Sequence, residues 1–310
     1  MHDARHAVIL GSSGFLGSRL IRALMNQFDR VFCFSRRAVD FPATSVTSLV
    51  GDIEHPPEEL LHALEGAVIY HLYSSLKPTP DTTRLFGNLS SDLAPTLRLL
   101  EYTKGKPCRW VFASSGGTVY GPSQEEWIDE NHPTHPINSY GLIKLTIEHY
   151  LALYRHLYGT DYVVARISNP YGPGQSGEQR QGLIAVTLNR ISTGRTLEVW
   201  GDGRTVRDYV YVDDVAAALV EMGIQELPHR IYNVGSGHGL SINEIIDVIS
   251  EMTGIRPNIR HTPSRASDVS RNVLSIERIH QDFGWQPVTD FHSGIRQTVD
   301  AAKTPKASVY

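Results

Sequence analysis

The chain has 310 residues, 41% of them hydrophobic, and a formal net charge of −4, which allows a sizeable core in one large domain or two intimate ones. The mild charge argues against a polybasic groove for nucleic acid or a polybasic membrane surface. No run approaches the roughly 20 apolar residues of a membrane span, and the first apolar run, Ala7 to Leu10, comes too early and ends too soon for a secretory signal, so a cytoplasmic protein is expected.

Ala7 to Leu10 reads as a first strand that stops at Gly11-Ser12-Ser13-Gly14-Phe15-Leu16-Gly17, and the amphipathic stretch Ser18 to Phe28 reads as a helix. Strand, glycine turn and helix are the context of a phosphate-binding turn. Gly11 permits the tight turn, Gly14 lets backbone approach a pyrophosphate, and Gly17 lets the helix pack closely on the strand. Free N–H groups at the helix start would face the phosphates. Gly11, Ser13, Gly14, Phe15, Leu16 and Gly17 are therefore candidate dinucleotide contacts.

A second strand, Val31 to Phe34, ends in Ser35-Arg36-Arg37. An NAD site usually places an acid at this strand end for the adenosine ribose hydroxyls, whereas a 2′-phosphate calls for arginine. Ser35 stands where the acid would be. NAD is the expected cofactor, with NADP admitted through Arg36 unless both arginines are merely solvated loop charges.

Thr47 to Val50 is a third strand, after which Gly51, Asp52 and Ile53 could border the adenine. Val68 to Leu72 is a fourth, opening into Tyr73-Ser74-Ser75, and a helix begins near Asn88 and runs through Leu100. Arg109 to Phe112 is a fifth, leading into Ala113-Ser114-Ser115-Gly116-Gly117-Thr118-Val119-Tyr120-Gly121. Cys33 and Cys108 match neither a disulfide framework nor a zinc spacing and read as buried thiols. His132 and His135 flank prolines and read as solvent-facing, so no metal is expected. Strands alternating with helices call for an α/β, doubly wound parallel sheet of Rossmann type, with ligands at the strands' carboxyl ends. Leu72, Ser74 and Ser114 lie at such ends.

In Ser139-Tyr140-Gly141-Leu142-Ile143-Lys144 the tyrosine and lysine are one helical turn apart and share a face. A phenol titrates near pH 10; an ammonium at ~4 Å contributes about 4 kcal/mol at an effective dielectric of about 20, or roughly three pKa units. That would make Tyr140 a general base near neutrality, with Lys144 its electrostatic partner.

GSSGFLG, SSGGTVYG, Tyr140-x-x-x-Lys144, Arg166-Ile167-Ser168-Asn169-Pro170-Tyr171-Gly172, Trp200-Gly201-Asp202-Gly203, Arg207-Asp208-Tyr209 and Tyr232-Asn233-Val234-Gly235 follow one another along nearly the whole chain. Together they resemble the extended short-chain dehydrogenase/reductase family, in particular its nucleotide-sugar epimerase/dehydratase branch. The resemblance implies a cofactor domain over 1–171, with 208–232 returning to it, and a nucleotide-sugar domain over 172–207 and 233–310. It implies that Ser168 borders the cofactor and that Asn169 touches the sugar or its phosphate. Val199 and Trp200 would line the base, Arg207 and Arg265 grip the diphosphate, and Asp268 bind the uridine ribose. Asn272 would lie against the sugar's C2 substituent. The same resemblance implies a homodimer through the helices near Asn88–Leu100 and Ser139–Tyr158, using Leu93, Leu97, Leu100, Ile147 and Leu151.

Three positions depart from the family's pattern. Gly116 stands where epimerases carry a serine or threonine that bonds the reacting hydroxyl, so Ser115, Thr118 or a water must substitute. Asp92 replaces a helix asparagine, and Pro95 a glycine. The implied activity is UDP-hexose 4-epimerisation, of UDP-glucose and galactose or of UDP-N-acetylhexosamines. An NADPH-dependent 4-ketosugar reductase is the alternative. A 4,6-dehydratase would need an acidic pair where Gly117 and Thr118 stand.

Overall fold

The computed structural model of the chain describes residues 6–75, 89–177, 182–264 and 269–303. Seven strands form the larger sheet: β1 (His6–Leu10), β2 (Arg30–Ser35), β3 (Val46–Val50), β4 (Val68–His71), β5 (Arg109–Ser115), β6 (Asp161–Ile167) and β10 (Ile231–Val234). Their order is β10-β6-β5-β4-β1-β2-β3, every pair parallel. The order reverses between β1 and β4, which opens a crevice at the carboxyl ends of those two strands. This is the doubly wound sheet that the alternating pattern predicts.

Helices cover both faces, as buried parallel strands require. On one side α1 (Phe15–Leu24) packs beside α6 (Val212–Ile224) over Ile9, Val31, Val111 and Val163. On the other, α2 (Glu58–Leu64), α3 (Ala94–Thr103) and α4 (Ser139–Tyr158) cover Val8, Ile69, Trp110 and Phe112. Cys33 and Cys108 are buried free thiols, as their apolar neighbours suggest.

A smaller layer lies beyond the sheet's carboxyl edge. It comprises β7 (Asn169–Tyr171), α5 (Leu183–Thr193), β8 (Leu197–Trp200), β9 (Val206–Tyr211), β11 (Gly239–Ser241) and α7 (Ile242–Thr253). It continues with β12 (Ile259–Thr262), β13 (Arg271–Asn272) and α9 (Phe291–Lys303), whereas α8 (Glu277–Phe283) packs back on β10 of the large sheet through Ile279. Strand β9 is its axis, with β7, β11 and β13 all pairing to it, while β8 pairs with β12. Tyr171, Ile184, Tyr211, Ile245, Ile249 and Ile295 form its core. From α6 the chain returns to the large sheet and enters β10 there.

The helix expected from Asn88 enters differently. Leu89–Leu93 is one wide π turn, and α3 proper starts at Ala94, with Pro95 in its first turn. Proline lacks the N–H that an α turn would direct at the carbonyl four residues back, and its ring crowds that carbonyl, so the turn widens. Asn88 itself lies outside the described residues.

Candidate active site

Three glycines shape the crevice. Gly11 sits at a φ of +95°, and any Cβ on it would meet Tyr73 N at 3.0 Å, at the carboxyl end of β4. Gly14 precedes α1 in an extended conformation, and no side chain caps that helix start. A Cβ on Gly17 would lie inside contact distance of Gly11 O and 2.8 Å from Ser12 Cα. Backbone N–H groups without a side-chain cap, at a helix start reached by a glycine cradle, suit the pyrophosphate of a dinucleotide. The residues present therefore fit that group.

The crevice is continuous with a second hollow beyond the glycine cradle. Phe15, Leu16, Gly17, Ser114, Ser115, Tyr140, Lys144 and Ser168 line its inner part, and Gly11, Gly14, Leu72 and Ser74 its middle. Ser13, Ser35, Arg36 and Ile53 line its outer part. Among the expected cofactor contacts only Asp52 stands off the lining; its carboxylate accepts the Glu54 N–H at 2.9 Å. Gly51, expected beside the adenine, lines the outer part as well. Phe34, Tyr73, Ala113, Ile167 and Pro170 complete the walls, and these the sequence reading did not single out as cofactor contacts.

Helix α4 carries the reactive pair. Asn138 caps it by accepting from Gly141 N at 2.8 Å, which fixes the first turn and with it Tyr140. Lys144, only 3% exposed, donates from Nζ to Ala113 O at 2.9 Å and lies 5.7 Å from the centre of the Tyr140 ring. The expected lowering of the phenol does not occur in the protein chain itself. Burial pushes the Tyr140 phenol up to about 12, with the negative charge of Asp92 adding to the shift. The same burial pulls Lys144 down to about 8, opposed by Asp92 and Glu148. Desolvation of both charged forms outweighs their mutual attraction, and Lys144 spends a proton on a backbone carbonyl.

The departures resolve structurally. A Cβ on Gly116 would meet Leu274 Cδ1 at 2.5 Å and Arg166 O at 3.0 Å, so Leu274 occupies the space a serine or threonine would need. Of the two hydroxyl candidates, Ser115 lines the cleft beside Tyr140, whereas Thr118 does not and its Oγ1 is buried without a partner. Asp92, 3% exposed, accepts from Ser74 Oγ at 2.6 Å, from Ser75 N at 2.9 Å and from Ser75 Oγ. It pins the loop after β4 against the cleft.

Beneath the cleft runs a polar layer that the sequence reading missed. Glu148 lies one more turn along the Tyr140–Lys144 face of α4, and that spacing could have signalled it. It accepts from Arg166 Nη2 at 2.7 Å and from Ser114 Oγ. Arg166 also lies under the Tyr120 ring, 4.9 Å from its centre. Fully buried Asp208 accepts from Ser236 N and Oγ, both at 2.8 Å, Ser168 Oγ at 3.2 Å and Leu274 N at 3.3 Å. It clips the ends of β6, β10 and β13 together.

The expected sugar-side residues lie apart from this lining. Asn169 donates to Asp208 O at 2.8 Å, at the junction of the two layers. Sheet register sets Asn272 beside Arg207. Asn272 is 2% exposed; its Nδ2 donates to Gly116 O at 3.2 Å and its Oδ1 has no partner. Val199 packs its side chain with Leu197 and Ile246, while Trp200 beside it is exposed. Arg265 and Asp268 lie outside the described residues.

A glycine cradle at the switch point of a parallel sheet, with a tyrosine–lysine pair across from it, defines a dinucleotide-dependent enzyme of the short-chain dehydrogenase/reductase class. The profile of the NAD dependent epimerase/dehydratase family matches residues 7–235, and the chain belongs to that family. It is 30% identical over 303 residues to a UDP-glucose 4-epimerase of Mycolicibacterium smegmatis, covering 94% of this chain and 97% of that one. It superposes with a TM-score of 0.87 on a Thermotoga maritima UDP-glucose 4-epimerase solved with UDP-glucose, at 27% identity and covering 96% and 98% of the two chains. A Thermus thermophilus UDP-glucose 4-epimerase solved with NAD gives a TM-score of 0.86 at 29% identity, again over 96% and 98%. Among the described residues no helix is long and apolar enough to cross a membrane.

Proposed function

We propose that the chain is a UDP-hexose 4-epimerase working with a nicotinamide dinucleotide. The observation that carries this is the placing of Ser115, Tyr140 and Lys144 together on the inner cleft wall, opposite the glycine cradle. When bound, the dinucleotide supplies reversible hydride exchange at the sugar's C4 and, oxidised, a positive charge. Gly11, Gly14 and the start of α1 hold its diphosphate. Tyr140 takes the proton of the 4-hydroxyl and later returns it, and Ser115 hydrogen-bonds the same oxygen. Lys144, its ammonium sharing the buried wall, stabilises the phenolate that forms. The positive charge of an oxidised cofactor held by this cleft would oppose the burial that keeps the Tyr140 phenol protonated.

In this reading residues 1–171 and 208–232 serve the cofactor and 172–207 and 233–310 the nucleotide sugar. Asn169 and Arg207 would reach the sugar and diphosphate, joined by Arg265 and Asp268, with Trp200 at the base; Asn272, 2% exposed and bonded to Gly116 O, and Val199, packed with Leu197 and Ile246, would support that wall from behind. A homodimer is proposed on the family likeness. The acid pair a 4,6-dehydratase needs is missing, since Gly117 and Thr118 stand there.

A second reading, reduction of a 4-ketosugar by NADPH, is favoured by Arg36 on the outer wall. The two part on cofactor retention, because an epimerase regenerates its cofactor each turnover. The test is interconversion of UDP-glucose and UDP-galactose, and of their N-acetyl counterparts, by wild type and Tyr140→Phe. We expect the variant to keep cofactor affinity and to lose about two to four powers of ten in turnover. Near-normal turnover would remove Tyr140 from the mechanism; wild-type inactivity without added NADPH and a ketosugar would favour the reductase.

A further inference from the structure

We propose that the outer end of the cleft is built to receive a 2′-phosphate, so that the chain binds NADP(H) in preference to NAD(H); this rests on the reading of the cleft as a dinucleotide site.

The adenosine ribose of NAD presents two vicinal hydroxyls, and a carboxylate at the end of the second strand is the group that accepts from both. Here β2 ends in Ser35, and no carboxylate lines the outer cleft, whose walls are Phe34, Ser35, Arg36, Gly51, Ile53 and Tyr73. Ser35 is not a substitute for one. Its side chain is turned inward, 7% exposed, and its Oγ donates to Arg37 O at 2.5 Å, which closes the turn after the strand. The hydroxyl thus braces the loop that presents Arg36.

Arg36 lines the hollow, is exposed, and makes no ion pair with any carboxylate among the described residues. Three acids lie near enough to act, with Arg36, on the Tyr73 phenol: Asp92, Asp52 and Glu54. None of them lines the hollow; Asp92 is engaged by Ser74 and Ser75, and Asp52 by the Glu54 N–H. The wall that meets the ribose 2′ position therefore offers a cation and no anion. A phosphate monoester there carries about −1.5 to −2 charges at neutral pH, and a guanidinium meets its oxygens with two parallel N–H donors. A bare ribose diol would find a cation where it needs an acceptor.

The test is calorimetric titration of the purified full chain, freed of retained nucleotide, with NAD, NADP and the half-molecules 5′-AMP and 2′,5′-ADP. The half-molecules report on the adenosine end alone. NADP should bind about tenfold or more tightly than NAD, and 2′,5′-ADP should exceed 5′-AMP by a similar factor. Arg36→Ala should remove that advantage while leaving NAD affinity within about twofold, and Ser35→Asp should reverse the preference. NAD bound as tightly as NADP, or an equal effect of Arg36→Ala on both, overturns the proposal while leaving the dinucleotide reading intact. Failure of both dinucleotides to bind overturns the two together.

Discussion

Tyr140 and Lys144 show how far burial can override proximity. A turn of helix brings them to one face, but Lys144 is 3% exposed and bonded to Ala113 O, so its charge is itself expensive. His71 obeys the same physics. It lies buried at the end of β4, and burial, with the Lys144 charge, pulls it down from 6.5 to about 3. Thr96 Oγ1 donates to Asp92 O at 2.7 Å, so at 2.8 Å it accepts from His71 Nε2–H, and Nδ1 is left buried and bare. Protonating Nδ1 would bury a cation without a partner. The sign follows: the folded pKa is depressed, so the unfolded chain takes up the proton first and stability is lost as pH falls from 6.5 towards 3. The loss is at most about 1.4 kcal/mol per pH unit for one proton. Urea denaturation at several pH values should show that slope in wild type and a shallower one in His71→Leu, whose apolar side chain fits between Trp110 and Phe112. Equal slopes would assign the acid sensitivity to other groups.

Helix α4 joins the catalytic pair to the sheet, and glycine sets how closely. A Cβ on Gly141 would lie 2.6 Å from Thr118 O and 3.1 Å from Pro136 Cβ. Alanine is otherwise the better helix former by about 1 kcal/mol. Gly141→Ala should therefore push the first turn off the Thr118 loop, misplace Tyr140 and cut kcat by about tenfold to a hundredfold. Unchanged kcat with raised stability would mean that the loop yields freely. Further along, the Glu148–Arg166 pair is buried at 3% and 5% side-chain exposure. Glu148→Ala should cost about 3–5 kcal/mol in urea denaturation by leaving the guanidinium unpaired; adding Arg166→Met should recover much of that, and failure to do so would show that Arg166 is needed for more than its partner. Such features mark what a sequence can disclose. Strands β1 to β5, the glycine cradle and the Tyr140–Lys144 face are written in local spacing, because each depends on backbone conformation or helical period. The polar layer is not. Asp208 meets Ser236 and Leu274, and Asn272 meets Gly116, across long sequence separations that no periodicity records. The π turn before α3 needed the combination of Pro95 with its packing, and Leu274 had to be seen against Gly116 before the missing hydroxyl made sense.

At the scale of the molecule, the outer face of α4 remains to be explained. The residues expected at a dimer contact divide: Leu100, Ile147 and Leu151 are buried against the large sheet, and Leu93 and Leu97 pack partly on the same core. They cover their own sheet, the simpler role, and that leaves them little to offer a partner. A different set is exposed on α4: Leu142, Leu153, Leu157 and Tyr158, with Leu89 on the π turn. Leu142, Thr146, His149, Leu153 and Leu157 follow one another at steps of four, three, four and four along α4, which is one stripe of a helix. The leucines of a stripe of that kind, on a long helix beside α3, suit two-fold pairing with the same stripe of a second copy, where each residue meets its symmetry mate's neighbours. Each leucine fully covered would contribute about 1.5–3 kcal/mol. Sedimentation of the wild-type chain at micromolar concentration should accordingly give twice the chain's mass. Leu153→Asp with Leu157→Asp should give a monomer that keeps the fold by circular dichroism, since neither side chain is part of the core. A wild-type monomer would assign the stripe to solvent exposure alone, and a dimer unaffected by the two aspartates would place the interface on another face.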